Sequence, residues 1–210
     1  MKRKTKKALK TTFLITGAMI GVFILVSILF IRLAENEFNN SRPLINEKVS
    51  DYKPVVEKYA KQYGVTEHVD VLLAMMMQES GGRGKDPMQS SESYCGERGC
   101  IDNPNSSIKQ GVYYFSQAIN DADGDVKLAI QSYNFGRGFI DYVNGKSGKY
   151  SLELAIDFSQ KMYKTAENQA IYTCLREEAE KYNACYGDIY YVRDVMQYKQ
   201  KLTAEKQGGV

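Results

Sequence analysis

The chain has 210 residues, with 28 Lys or Arg against 25 Asp or Glu and a formal charge of +3. The charge is unevenly spread: residues 1–33 hold seven basic residues and no acidic one, while the remainder, with 21 basic and 25 acidic, carries −4. A long basic groove for a nucleic-acid backbone is thereby disfavoured, and no nucleic acid is expected among the partners.

Residues 1–10 form a basic segment containing Lys2, Arg3, Lys4, Lys6, Lys7 and Lys10. The run from Thr11 to Ile31 has no charge and is rich in Phe, Ile, Leu and Val. About 20 apolar residues suffice to cross a bilayer. A secretory signal peptide has a shorter apolar core and a small-residue cleavage site, which Arg32-Leu33-Ala34-Glu35 does not offer. Residues 11–33 therefore read as an uncleaved, single-pass transmembrane signal anchor. The basic flank faces the cytoplasm and suits anionic lipid, and the C-terminal part lies on the extracellular side of the cell membrane. Residues 34–50, polar and broken by Arg42-Pro43, read as a linker.

From Asp51 the pattern becomes that of amphipathic helices. Val55, Val56, Tyr59 and Tyr63 mark the first, with Pro54 tolerated in its opening turn and Gly64 ending it. A second starts around Thr66–Asp70 and carries Leu72, Met75, Met76 and Glu79 on one face before Gly81-Gly82 stops it. A carboxylate at the end of an apolar stripe is partly desolvated, which raises its pKa and lets it donate a proton near neutral pH. The plainer alternative is a solvated residue at a helix end.

A long loop follows, from Gly81 to Asn105, and loops of such length in a compact domain are often functional. Ser106 or Ser107 is expected to cap a helix bearing Ile108, Val112, Phe115 and Ile119. Asp121 to Asp125 resembles part of a calcium loop, but the twelfth position is Ser132 and not an acid, so a turn and helix cap is the better reading. The next helix runs from Asp125 to about Asn134-Phe135-Gly136. A glycine-rich turn follows at 144–148, then a helix from Ser151 to about Thr165 and a last one from Arg193 to Lys201. No strand-like alternation longer than a few residues occurs. The fold class is mainly α, with one domain at 51–202 and a flexible tail at 203–210 that ends the protein or leads to a further domain.

The four cysteines, Cys95, Cys100, Cys174 and Cys185, all lie in the exported part, where disulfides form. Three connectivities are possible, and Cys95–Cys100 with Cys174–Cys185 is preferred because each closes a short loop. Zinc fits the spacings poorly. The only histidine, His68, sits at a polar helix start, which disfavours a thiol or serine nucleophile. No cofactor and no metal is expected.

Three segments should meet in space: Gln78-Glu79-Ser80-Gly81-Gly82, Asp86-Pro87-Met88-Gln89-Ser90-Ser91-Glu92-Ser93, and Gln131-Ser132-Tyr133-Asn134-Phe135-Gly136. In this order they resemble the lysozyme-like muramidase and lytic transglycosylase superfamily over about residues 50–200. The branch they resemble most is the bacterial lysozyme-like domain of Gram-positive cell-wall hydrolases of conjugative elements. The resemblance implies a lysozyme-like, lytic transglycosylase-like fold and cleavage of the β-1,4 bond between N-acetylmuramic acid and N-acetylglucosamine in peptidoglycan. It implies that Glu79 is the catalytic acid, that Met88-Gln89 lines the cleft beside it, and that Tyr133 and Asn134 face the sugar. Ser80, Gln89, Ser91, Tyr133 and Asn134 are the expected substrate-binding groups, since sugars need amides, hydroxyls and aromatic faces. Tyr133 also shares a face with Val126, Ala129 and Ile130, so core packing is its plainer role.

If a second carboxylate assists, water attack gives hydrolysis, and Asp86 and Glu92 are the candidates. Without one, Glu79 turns from acid to base and the muramoyl 6-hydroxyl attacks, giving an anhydro product. The resemblance further implies a role in opening the wall for a conjugation or secretion apparatus. The rival class is a non-catalytic wall-binding or scaffold subunit of such a channel.

Overall fold

The structure, a computed structural model, describes residues 47–208 and, ahead of them, Phe23, Ile24, Val26, Ser27 and Leu29. These five are helical, with the Ser27 hydroxyl donating to the Phe23 carbonyl at 2.9 Å. They belong to a unit separate from residues 45–210. Among the described residues no helix is long and apolar enough to cross a membrane. The anchor read at 11–33 lies for the most part outside the described residues, as do positions 34–46 of the expected linker.

The described residues of the second unit form ten α-helices and two 3₁₀ turns. In chain order these are α1 (Glu47–Asp51), α2 (Lys53–Gln62), a 3₁₀ turn (Thr66–His68), α3 (Val69–Glu79), α4 (Ser91–Cys95), α5 (Pro104–Asp121) and α6 (Val126–Phe135). Then come α7 (Gly138–Asn144), α8 (Leu152–Thr165), a second 3₁₀ turn (Gln169–Ile171), α9 (Glu177–Glu180) and α10 (Tyr191–Gly208).

Helix α3 is the axis of this unit. Every residue from Val69 to Met76 except Asp70 is at most 8% exposed, as expected of a helix that is apolar all round. It is enclosed by α10, which makes its most extensive contact, and by α1 and α2. Burying side chains the size of Leu72, Leu73, Met75 and Met76 stabilises the fold by about 1.5–3 kcal/mol each. The helix ends where the sequence requires it. Ser80 and Gly81 donate back to the Met76 carbonyl at 3.1 Å, and Gly81 and Gly82 take φ of 62° and 74°, a region that side chains other than glycine rarely enter. Gly82 is also packed: a Cβ there would lie 3.1 Å from the Lys48 and Val49 backbone.

Four boundaries differ from the sequence reading. Residues 47–50, assigned to the linker, are helical, and Val49 is fully buried. Helix α5 is capped by Asn103, whose side chain accepts from the Ser106 N–H at 2.9 Å, with Pro104 in its first turn. Ser107, one of the expected caps, is instead buried and hydrogen-bonded elsewhere. Helix α7 was not anticipated. Helix α10 begins two residues before Arg193 and continues through the expected tail to Gly208. By contrast, Asp125 and Ser151 cap α6 and α8, Asp125 accepting from Lys127 and Leu128 at 3.0 and 3.1 Å.

A second packing centre is aromatic. Phe135, Phe139, Phe158 and Tyr186 meet with ring centroids 5.1–6.1 Å apart. The Tyr186 hydroxyl donates to the Phe135 carbonyl at 3.1 Å, and Ser159 donates to the Tyr186 carbonyl at 2.8 Å. The segment between α9 and α10, which has little secondary structure, is thereby pinned to α6 and α8.

Candidate active site

Glu79, the last residue of α3, is half-buried where α3, α6, α10 and the 80–90 loop converge. Its Oε1 accepts a hydrogen bond of 2.5 Å from the hydroxyl of Tyr191, a residue only 2% exposed in the first turn of α10. Burial pushes the Glu79 carboxyl up to about 7. The Tyr191 hydrogen bond works in the opposite sense, and the charges of Asp86 and Asp188 add to the rise. Tyr133 and Tyr191 are raised well above the ordinary tyrosine value by burial and by Glu79 itself, so both keep their protons. A carboxyl group poised near neutrality and flanked by two un-ionised phenols is suited to give up and take back a proton.

Tyr191 escaped the sequence reading. It lies 112 residues from Glu79, and the expected last helix started after it. Its placement rests on a network around Asp188. The Asp188 N–H donates to the Asn134 side-chain oxygen at 2.7 Å, and its carbonyl accepts from Gln131 at 2.9 Å. The carboxylate and carbonyl then accept from the Tyr190 and Tyr191 N–H groups at 2.9 and 3.1 Å, which starts α10. Arg176 grips Asp188 through two hydrogen bonds of 2.9 and 2.6 Å and also pairs with Asp194. Gly187 leaves no space beside this junction: a Cβ would come within 2.7 Å of Asn134 Oδ1 and of the Phe135 ring.

Both disulfides form with the local pairing, Cys95–Cys100 and Cys174–Cys185. The second ties together the stretches that carry Arg176 and Asp188, and through them the start of α10. Opening a loop of this size typically removes ~2–3 kcal/mol. Cys174→Ala/Cys185→Ala is therefore expected to lower both the melting temperature and the activity, the latter through a mispositioned Tyr191. Equal melting temperature and equal activity would rule out that role.

The loop after Glu79 is held by its own hydroxyls. Ser80 Oγ donates to the Pro87 carbonyl at 2.8 Å and accepts the Arg83 N–H at 3.1 Å. Asp86 sits among serines: Oδ1 accepts from the Ser90 N–H and the Ser107 hydroxyl at 2.9 and 2.6 Å, and Oδ2 from the Ser91 N–H and hydroxyl at 3.0 and 2.6 Å. Burial raises the Asp86 carboxyl, but these donors outweigh it and the net shift is downward. Met88 is fully buried, and its carbonyl accepts from the Tyr133 hydroxyl at 2.8 Å. Gly111 of α5 makes this approach possible, since a Cβ there would lie 2.8 Å from both Met88 Cβ and the Tyr133 oxygen.

The expected site residues thus divide. Glu79, Ser80, Asp86 and Tyr133 are brought together, and Asn134 joins them through Asp188. Gln89 is exposed on the loop with a φ of 47°, its amide donating to the Asp86 carbonyl at 2.9 Å. Ser80 and Ser91 do not present free hydroxyls for a sugar. Ser91 is 3% exposed and spends its oxygen on Asp86 and the Ile101 N–H. Both candidates for a second carboxylate are engaged elsewhere in this structure. Asp86 has both oxygens saturated, and Glu92 points to solvent in an ion pair with Arg98 at 2.8 Å.

Comparison with known proteins places the chain in a family. Residues 46–199 match the family model described as lysozyme-like. The chain is 43% identical over 155 residues to the bifunctional muramidase/DL-endopeptidase CwlT of Bacillus subtilis (strain 168), an alignment covering 73% of this chain and 42% of that one. It is 36% identical to the uncharacterized membrane protein YocA of the same strain, over 95% of this chain and 92% of that one. A solved structure from Staphylococcus aureus subsp. aureus Mu50, described as similar to a lipoprotein of the NLP/P60 family, superposes with a TM-score of 0.65 at 37% identity. That match covers 74% of this chain and 54% of the other.

Proposed function

The chain belongs to the lysozyme-like family, and from that premise we propose that it is a peptidoglycan glycosidase, a muramidase cleaving the β-1,4 bond between N-acetylmuramic acid and N-acetylglucosamine. The observation that carries this reading is Glu79, desolvated, held near pKa 7 and hydrogen-bonded by a buried phenol. Glu79 protonates the glycosidic oxygen as the bond to the muramoyl anomeric carbon lengthens and oxocarbenium character develops. The carboxylate left behind is stabilised by the Tyr191 O–H and takes a proton from the attacking water. With Asp86 held by its serine donors and Glu92 by Arg98, Glu79 serves as acid and then base, the same double use the anhydro route requires, with water in the place of the muramoyl 6-hydroxyl. The similarity to CwlT, whose name includes muramidase, supports hydrolysis as the outcome.

The domain is proposed to face the wall from a membrane anchor at 11–33. Support comes from the basic flank, the uncharged run that follows it and the similarity to YocA, named a membrane protein. Local opening of the wall for a conjugation or secretion apparatus is the role proposed, supported by the family resemblance of the three motifs.

The test is digestion of purified peptidoglycan by the full chain, with mass spectrometry of the soluble muropeptides. Reducing muramic ends are expected. Anhydro ends would replace hydrolysis by transglycosylation, and glycan binding without release would favour the non-catalytic scaffold.

A further inference from the structure

The serine cage around Asp86 does more than close a loop. Of the four donors within 3.0 Å of its oxygens, two are backbone N–H groups, of Ser90 and Ser91, which cannot turn away. The other two are the hydroxyls of Ser107 and Ser91, and each of these oxygens already accepts a backbone N–H, from Met88 at 3.0 Å and Ile101 at 3.1 Å. A hydroxyl oxygen has one proton and two lone pairs, so after accepting a backbone N–H each serine still has its proton to give to Asp86. One fixed backbone N–H points at each carboxylate oxygen, with a hydroxyl beside it, and this arrangement favours Asp86 as an anion.

That anion is built into the loop that carries Met88 and Gln89, and it is joined to the Glu79 end of α3 through Ser80 and Pro87. The groups that act electrostatically on Glu79 come from three directions: Asp86 from the loop, Asp188 and Tyr191 from the start of α10, and Tyr133 from α6. Asp188 has its charge matched by Arg176 at 2.6 Å. Asp86 has no ion-pair partner among the described residues; its donors are neutral.

We propose that Asp86 is a positioning residue, a caged anion that holds the Pro87–Gln89 loop in place beside the Glu79 end of α3 and whose charge adds to the burial that keeps Glu79 protonated. The inference rests on the reading of Glu79 as the catalytic acid, and it assigns the two carboxyl groups opposite protonation states at the same pH.

The experiment is the pH dependence of kcat/KM for peptidoglycan cleavage by the full chain, compared with Asp86→Asn and Ser107→Ala. Asp86→Asn removes the charge. Its alkaline limb is expected to move to lower pH, with the rate at pH 7 reduced roughly threefold or more. Ser107→Ala keeps the charge and loosens the loop, so KM is expected to rise with the limb in place. A folded Asp86→Asn protein with an unmoved limb would overturn the proposal, as would a Ser107→Ala limb displaced as far as that of Asp86→Asn. Should Asp86→Asn fail to fold, carboxyl-carbon NMR titration of the unmodified protein decides instead. Asp86 is expected to stay ionised while Glu79 titrates near neutrality, and an Asp86 signal titrating alongside Glu79 would sink the idea. The NMR result is readable even if no glycan is released, which separates failure of this proposal from failure of the muramidase reading.

Discussion

Glu79→Gln is expected to lower kcat on peptidoglycan by about 10²–10⁴-fold, the usual contribution of a positioned general acid, with little change in KM. The same substitution should make the protein more stable at alkaline pH. Burial holds the folded-state pKa of Glu79 at about 7, against an ordinary value of 4.5. The folded protein therefore keeps a proton that the unfolded chain has already lost. The stabilising effect of the neutral group is complete below pH 4.5 and disappears as the pH rises through about 7, because ionising Glu79 in place means charging a desolvated group. The energy at stake is on the order of 3 kcal/mol. Glutamine keeps an oxygen for the Tyr191 hydroxyl and never ionises. Melting curves at pH 5 and pH 8 should therefore converge in the variant and diverge in the parent. Retained activity would remove Glu79 as the acid, and a variant less stable than the parent at pH 8 would contradict the burial argument.

The sequence made some of this legible and hid the rest for physical reasons. Glu79 could be found because helical periodicity places it at the end of an apolar stripe, and the glycines that end α3 are a local signal. The disulfide pairing could be preferred because short loops close most easily. Asp86 stands out in the sequence as a candidate second carboxylate, and the structure surrounds it with serine donors. A carboxylate in a loop reads as a reactive group until its surroundings are known, and the serines that saturate it come partly from the next residues and partly from Ser107, 21 residues on. Ser106 or Ser107 reads as the helix cap because serines favour that position, whereas Asn103 and Pro104 start α5 a few residues earlier. The Asp188 network was illegible altogether. It gathers Gln131 and Asn134 from α6, Arg176 from the start of α9 and Asp194 from α10, and no local pattern joins such distant residues.

Tyr191→Phe isolates the partner that only the fold reveals. The ring stays, so packing against α3 is retained, and a single hydroxyl is lost from a buried position. That hydroxyl matters most after proton transfer, when Glu79 carries a charge in a site with little water. A hydrogen bond to a charged group is worth about 1.5–3 kcal/mol, which corresponds to a kcat lower by roughly 10- to 100-fold with KM nearly unchanged. The pH profile should move in a defined direction. The Tyr191 hydrogen bond holds the Glu79 pKa down, so its removal lets the pKa rise and carries the alkaline limb to higher pH. This is opposite to the displacement expected of Asp86→Asn, although both substitutions slow the reaction at neutral pH. A Tyr191→Phe limb that stays in place or moves down would deny Tyr191 its hold on the carboxylate. Opposite displacements would establish that a fixed anion on one side and a phenol on the other tune, in opposite senses, the proton affinity that burial gives Glu79.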